Sequence, residues 1–195
     1  MLIPLTYGTT HTYFIKGPSG NILVDTDYAG TLTAFYKAIK GQGITIDDID
    51  YVLCTHFHPD HCGLVSTLMK LGVQLLVMES QTGSMHFSDK IFARESHLEY
   101  APIDESKAMV LTFEKSRSFL SSMGIQGEII ATLSHSEDSI SVILDDGTCI
   151  VGDLEPHEYL EAYSDNEALK ADWEKILSFG PKRICFAHAN EKVLS

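Results

Sequence analysis

Thr55-His56-Phe57-His58-Pro59-Asp60-His61 (THFHPDH) follows directly on the apolar run Tyr51-Val52-Leu53-Cys54. An apolar strand that runs straight into clustered imidazoles and a carboxylate delivers them at its end. His56 and His58 are two residues apart and share one side of an extended segment, so both can reach one ion. Asp60 and His61 follow where the chain turns into a helix and point to a neighbouring position. Four N/O ligands in six residues far exceed what nine His in 195 residues would place together.

Working outward, the flanking chain alternates strand and helix signals. His11–Lys16 and Asn21–Asp25 are β-rich runs joined by Gly17-Pro18-Ser19-Gly20, a hairpin. Thr31–Lys40 has apolar residues at helical spacing and is stopped by Gly41 and Gly43. Gly63–Leu71 reads as helix and Val73–Met78 as a buried strand. The polar segment Gln81–Ala101 has no clean period and reads as loop with some helix. Val110–Thr112 is extended, Phe113–Met123 helical up to Gly124, and Glu128–Leu133 a strand ending at Ser134-His135. Asp145-Asp146-Gly147 joins Ser139–Leu144 to Thr148–Val151 as a second hairpin. Asp165–Phe179 is helical, with Leu169, Trp173, Ile176 and Leu177 set to pack on a sheet. Gly180-Pro181 ends it, and Arg183–Ala187 is a last strand that stops at His188.

Three further ligand-type residues, His135, Asp153 and His188, thus stand at predicted strand ends, and strand ends converge on one rim of a sheet. With the first four they make seven N/O ligands and no sulfur, enough for two metal ions about 3.5–4 Å apart. A weak repeat supports a shared site. Hairpin, Val24-Asp25-Thr26-Asp27, helix and a strand capped by His56 are echoed by hairpin, Val151-Gly152-Asp153-Leu154, helix and a strand capped by His188. The repeat places the site at a seam between two halves.

THFHPDH, the SHS at Ser134–Ser136, GDL at Gly152–Leu154 and AHA at Ala187–Ala189 resemble the metallo-β-lactamase superfamily, in the HxHxDH…H…D…H form of its glyoxalase II-like and lactonase-like members. The resemblance runs from Val24 to His188. It implies an α/β fold: an αββα sandwich of the metallo-β-lactamase type, two mixed β-sheets flanked by helices. His56, His58 and His135 resemble the ligands of a first metal, Asp60, His61 and His188 those of a second, and Asp153 the aspartate that bridges them. The resemblance implies two divalent ions, zinc first and iron or manganese as alternatives. It disfavours lactamases that carry Cys in place of the bridging Asp, and the Glu-for-His pattern of flavodiiron oxidoreductases is absent because His58 is present. Leu133-Ser134-His135 departs from the usual Pro-Gly-His, Ala187-His188-Ala189 from Gly-His-Gly, and Asp27 replaces a common Gly. Both ligand loops are therefore expected to be reshaped.

The implied activity is hydrolysis by a metal-bridging hydroxide of an ester, thioester, lactone or phosphoester of a small molecule. Asp60 is the candidate catalytic residue, placed to orient the hydroxide or move a proton. A mononuclear iron persulfide-dioxygenase-like oxidoreductase and a non-catalytic metal-binding protein stand as alternatives. Asp25 is a candidate support for a ligating imidazole, and His157 and Tyr159, close after Asp153, are candidates for substrate contact. Gln81–Ala101 and Leu154–Ser164 are the segments expected to shape the substrate pocket. His11 reads as strand filler, and His86 and His97 as exposed loop residues.

Composition narrows the setting. The 195 residues carry 14 Lys+Arg against 27 Asp+Glu, a formal charge of −13, and are 44% hydrophobic. That length suits one domain over residues 1–195. The longest basic cluster is Lys182-Arg183, too little to neutralise a phosphate backbone, so no nucleic-acid partner is expected. Cys54, Cys62, Cys149 and Cys185 form no CxxC pair and read as buried thiols of a reducing compartment. No apolar run approaches 18 residues and MLIPLTYGTTHTYF lacks a signal-peptide pattern, so no membrane association and a cytoplasmic location are expected.

Overall fold

Strands buried on both faces must be covered twice, and the chain achieves this by stacking two sheets between two helical layers. The computed structural model describes residues 1–163 and 165–194; Ser164, the end of the predicted pocket segment Leu154–Ser164, and Ser195 lie outside them. The first sheet has the order β1 (Leu2–Thr6), β2 (His11–Lys16), β3 (Asn21–Val24), β4 (Tyr51–Leu53), β5 (Gln74–Met78) and β6 (Met109–Leu111). The second has the order β11 (Lys192–Val193), β10 (Arg183–Cys185), β9 (Thr148–Ile150), β8 (Ile140–Leu144) and β7 (Gly127–Ala131). Both sheets mix parallel and antiparallel pairs.

Side-chain parity assigns the layers. Ile22 and Val24 of β3 and Leu53 of β4 face Ile140, Val142 and Leu144 of β8 across the gap between the sheets. The alternate residues Leu23, Val52 and Cys54 turn outward to Phe35 and Ile39 of α1 (Leu32–Gly41) and Leu68 of α3 (Val65–Lys70). On the other side Ile143, Cys149 and Ile184 receive Leu169, Trp173 and Ile176 of α6 (Glu167–Leu177). Leu177, expected on that face, is 40% exposed at the helix end. The short α2 (Pro59–Cys62) begins inside the histidine motif, with Pro59 at the first helical position where its missing N–H costs nothing. Of the remaining helices, α4 (Asp89–Phe92) lies in the polar segment and α5 (Phe113–Ser122) precedes β7.

The predicted repeat exists in space. In each half a hairpin leads to a strand that continues as an Asp-bearing turn, then a helix, then a strand parallel to the first: β3 with β4, and β9 with β10. The halves meet through backbone bonds, from Ile140 N–H to Thr55 O at 2.9 Å and from His11 N–H to Ala187 O at 2.7 Å. Two strands were not legible in the sequence. Pro4 sits in β1, which pairs only with β2 at the sheet edge, where a missing donor is tolerated, and β11 is two residues long. No helix among the described residues is long and apolar enough to cross a membrane.

Ile22 is fully buried between the sheets whereas Val110, on the edge strand, is 53% exposed. Ile22→Ala is expected to cost about 2–5 kcal/mol in urea unfolding, and Val110→Ala within about 0.5 kcal/mol of zero.

Candidate metal centre

Five strands end at one rim of the sandwich, and the turns after them bring all seven predicted ligands together. His56, His58, His135 and Asp153 form one group and Asp60, His61, Asp153 and His188 a second, each with its ligand atoms within 4.8 Å of one another. Asp153 belongs to both. Its Oδ2 lies 3.8 Å from His56 Nε2 and 3.7 Å from His135 Nε2, while Oδ1 lies 3.2 Å from both His61 Nε2 and His188 Nε2. Asp60 Oδ2 is 3.0 Å from His188 Nε2 and 3.7 Å from His61 Nε2. His58 Nδ1 and His135 Nε2 are 3.2 Å apart.

These spacings fit ions rather than a protein hydrogen-bond network. Ligand atoms around a tetrahedral ion with bonds of about 2.0–2.1 Å lie about 3.3–3.4 Å apart. Buried polar atoms are almost always paired, yet His56 Nε2, His61 Nε2 and Asp153 Oδ1 are buried here without a hydrogen-bond partner. All three converge on the space between the groups. An imidazole and carboxylate set without sulfur suits zinc, iron or manganese.

The turns that carry the ligands are held by polar contacts behind them. Asp25 is 1% exposed and sits at φ +63°, a conformation Asp tolerates better than most residues. It accepts the Thr55 N–H at 2.7 Å, the Thr55 hydroxyl at 2.9 Å and His61 Nδ1–H at 3.0 Å. That last bond turns Nε2 of His61 to the site, as expected of Asp25. His188 Nδ1–H donates to the Thr9 carbonyl at 3.1 Å. Gly152, at φ +57°, lets the chain pass Thr55: a Cβ there would lie 2.6 Å from Thr55 Oγ1. The His135 loop is tied down by Asp172 of α6, which accepts Ser134 N–H at 2.8 Å.

Burial and crowding with other imidazoles hold His56 well below the usual histidine range and lower His58 as well. His61 goes the other way: burial opposes its charge, but the carboxylates of Asp25 and Asp153 prevail and raise it to about 10. The metal-free site therefore keeps a proton on His61 that an ion displaces. The four thiols are buried and free, burial raises Cys62 to about 12, Cys185 to about 11 and Cys54 well above a normal thiol, and none belongs to either ligand group.

The other sequence candidates separate. Tyr159 lines a cavity of about 350 Å³ that opens on His135, Asp153 and His188. His157 does not: its ring packs on Trp173 at 5.4 Å and faces a separate hollow near Lys192. Residues two apart in a 3-10 turn point about 120° apart, and His157–Tyr159 is such a turn. His86 is bracketed by Asp89 and Glu105, His97 is 75% exposed beside Glu95, and His11 meets the seam through its backbone.

Three residues gave no signal in the sequence. Gln81, fully buried, donates to the Cys54 and Asp138 carbonyls at 2.9 and 3.0 Å and accepts the Met78 N–H, joining both ligand loops. Asp138 accepts the Phe57 N–H at 2.8 Å and the Ser136 hydroxyl at 2.7 Å. Phe87, 57% exposed, sets its ring 5.0 Å from that of His58. A Gln or Asp inside a polar loop reads as solvated surface.

Residues 5–188 match the metallo-beta-lactamase superfamily. A beta-lactamase-like protein 2 homolog from Drosophila melanogaster is 24% identical over 189 residues, 95% of this chain and 60% of its own length. A flavo-diiron protein from Clostridium acetobutylicum is 31% identical over 90 residues, 46% of this chain and 22% of its own. The chain thus spans less than two thirds of these curated relatives. Among solved structures, a metallo-beta-lactamase family protein from Thermus thermophilus superposes with a TM-score of 0.74 at 19% identity, covering 99% of this chain and 74% of the other.

Asp25→Asn is expected to weaken zinc binding about 10–100-fold in a chelator competition while the circular dichroism spectrum is kept. Zinc uptake near neutral pH is expected to release protons, because His61 is charged below about 10 in the metal-free protein. Calorimetry in buffers of different ionisation enthalpy counts them, and apparent affinity should fall as pH falls.

Proposed function

The chain belongs to the metallo-beta-lactamase superfamily, and from that premise we propose that it is a dinuclear metal-dependent hydrolase acting on an ester, thioester, lactone or phosphoester of a small molecule. The observation that carries this reading is the Asp153 carboxylate, with one oxygen toward His56 and His135 and the other toward His61 and His188. A carboxylate split between two imidazole groups, with its own Oδ1 and two imidazole nitrogens unpartnered, suits a pair of ions and little else.

Divalent ions bound there would lower the pKa of a coordinated water from 15.7 to about 7 and polarise the bond under attack. The chain's own residues supply the rest. His56, His58 and His135 would hold one ion, Asp60, His61 and His188 the other, and Asp153 both. Asp60, 32% exposed beside His188, orients the attacking water and accepts its proton. Asp25 keeps His61 aimed at the site, and Tyr159 lines the cavity wall beside it. Gln81 and Asp138 hold the two ligand loops in register, which preserves the near-attack geometry on which rate depends.

A second reading, redox chemistry on iron, draws on the name of the flavo-diiron relative and would use part of this ligand set. Metal content and turnover separate the two. About two zinc, manganese or iron ions per chain with chelator-reversible ester hydrolysis is the expected result; one iron with oxygen uptake and no hydrolysis would sink the hydrolase reading. Asp60→Asn is expected to lower kcat by about 100-fold or more with His56, His58 and His135 still loaded, since general acid–base groups contribute about 10²–10⁴-fold. A variant that keeps full turnover would remove Asp60 from the mechanism.

A further inference from the structure

The reaction proposed above concerns the atoms at the ions; the walls around them bear on what the rest of the substrate is. Leu154, Pro156, Tyr159, Phe186 and Ala189 surround the 350 Å³ cavity, and Glu155 is its only charged residue outside the ligand groups. A second hollow of about 220 Å³ shares His135 and Glu155 with it and runs on to Tyr163, Asn166 and Leu169. Neither is lined by Lys or Arg among the described residues. Glu155 stands between the two, and its place is held because its carbonyl accepts the indole N–H of the buried Trp173 at 2.8 Å.

Recognition of a carboxylate or phosphate normally uses a guanidinium or ammonium with matching geometry. Here an anionic substrate arm would meet apolar side chains and a carboxylate instead. Two divalent ions set against Asp60, Asp153 and one hydroxide would leave about one positive charge at the centre itself, so it is along the arm, beyond the ions, that Glu155 acts. A negative arm beside Glu155 adds like-charge repulsion, weakened by solvent because Glu155 is exposed, to the cost of desolvating the arm. An uncharged arm meets neither penalty and gains by covering Leu154, Tyr159 and Phe186.

Resting on the hydrolase reading, we propose that the substrate is a carboxylic ester or lactone whose arm is apolar and carries no negative charge, and that Glu155 at the junction of the two hollows excludes anionic counterparts. Esters and thioesters with a carboxylate-bearing arm leave the substrate range. Phe87, standing against His58 from the polar segment, adds apolar surface on the other side of the ions.

The test compares 4-nitrophenyl butyrate with the matched 4-nitrophenyl hemisuccinate on the metal-loaded protein, each rate taken above the enzyme-free blank because the hemisuccinate carboxylate attacks its own ester. The neutral ester is expected to have the higher kcat/KM by about tenfold or more, the ratio that about 1.4 kcal/mol of repulsion produces. Glu155→Gln should shrink that ratio and Glu155→Lys bring it to about one or invert it. A ratio at or below one in the unaltered protein, or one that Glu155→Lys leaves unmoved, overturns the proposal and leaves the hydrolase reading standing. Butyranilide and succinanilic acid, which resist hydrolysis, give a binding readout by calorimetry. Tighter binding of the neutral anilide, lost in Glu155→Lys, supports the anion filter, and equal binding overturns it. Failure to hydrolyse either ester counts against the hydrolase reading, and the anilide pair then still decides the role of Glu155.

Discussion

The Asp25 carboxylate takes three donors at once, the N–H and hydroxyl of Thr55 and Nδ1–H of His61, and much of the molecule is arranged around that contact. It lies where β3 ends, so it ties the first parallel strand pair to the histidine motif. Thr55 in turn gives its carbonyl to Ile140 of the second sheet and leaves room only for glycine at position 152. One buried carboxylate therefore fixes a ligand, a strand end and the approach of the opposite half. Its left-handed backbone costs of the order of 1–2 kcal/mol, and charge-assisted hydrogen bonds of about 1.5–3 kcal/mol each are large enough to hold it. Asp27, also left-handed at φ +66°, is held in the same way by the Thr10 N–H.

The seam between the sheets explains why a site forms here. Each half ends a parallel strand pair at the same rim, and a strand that stops leaves unpaired backbone and a turn free to carry polar side chains. Two such rims facing one another bring imidazoles from both halves within reach of one carboxylate. The apolar interior behind them is closed by Ile22, Val24, Leu53 and Val142, so the ligands stand on a rigid base rather than on a mobile loop. The unpartnered nitrogens of His56 and His61 are polar atoms kept buried by that base and aimed at one point.

The outer parts of the cavity depend on a different constraint. The segment after Asp153 turns tightly, so neighbouring residues diverge: Glu155 and Tyr159 face the metal cavity while His157 goes to Trp173. The candidate ligands and the cavity walls thus lie on separate stretches of chain. The ligands sit at strand ends held by the core, and the walls sit on turns that a few substitutions can change without disturbing it.

The sequence by itself determined the ligand set and the order of elements. THFHPDH after an apolar strand, His135, Asp153 and His188 at strand ends, and the hairpin-helix-strand echo are local patterns, and backbone periodicity makes them legible. It was silent on β1 and β11, whose pairing is with distant strands and whose own signal is a proline-containing edge and two residues. It placed His157 and Tyr159 together because they are near in sequence, and it gave Gln81, Asp138 and Phe87 no role. Those assignments needed the tertiary structure, because a buried amide that links two loops, or a ring that stands over a histidine, is defined by what lies across the fold. Periodicity records which face of an element is apolar; it carries no information on which polar atom of a remote loop will be facing it.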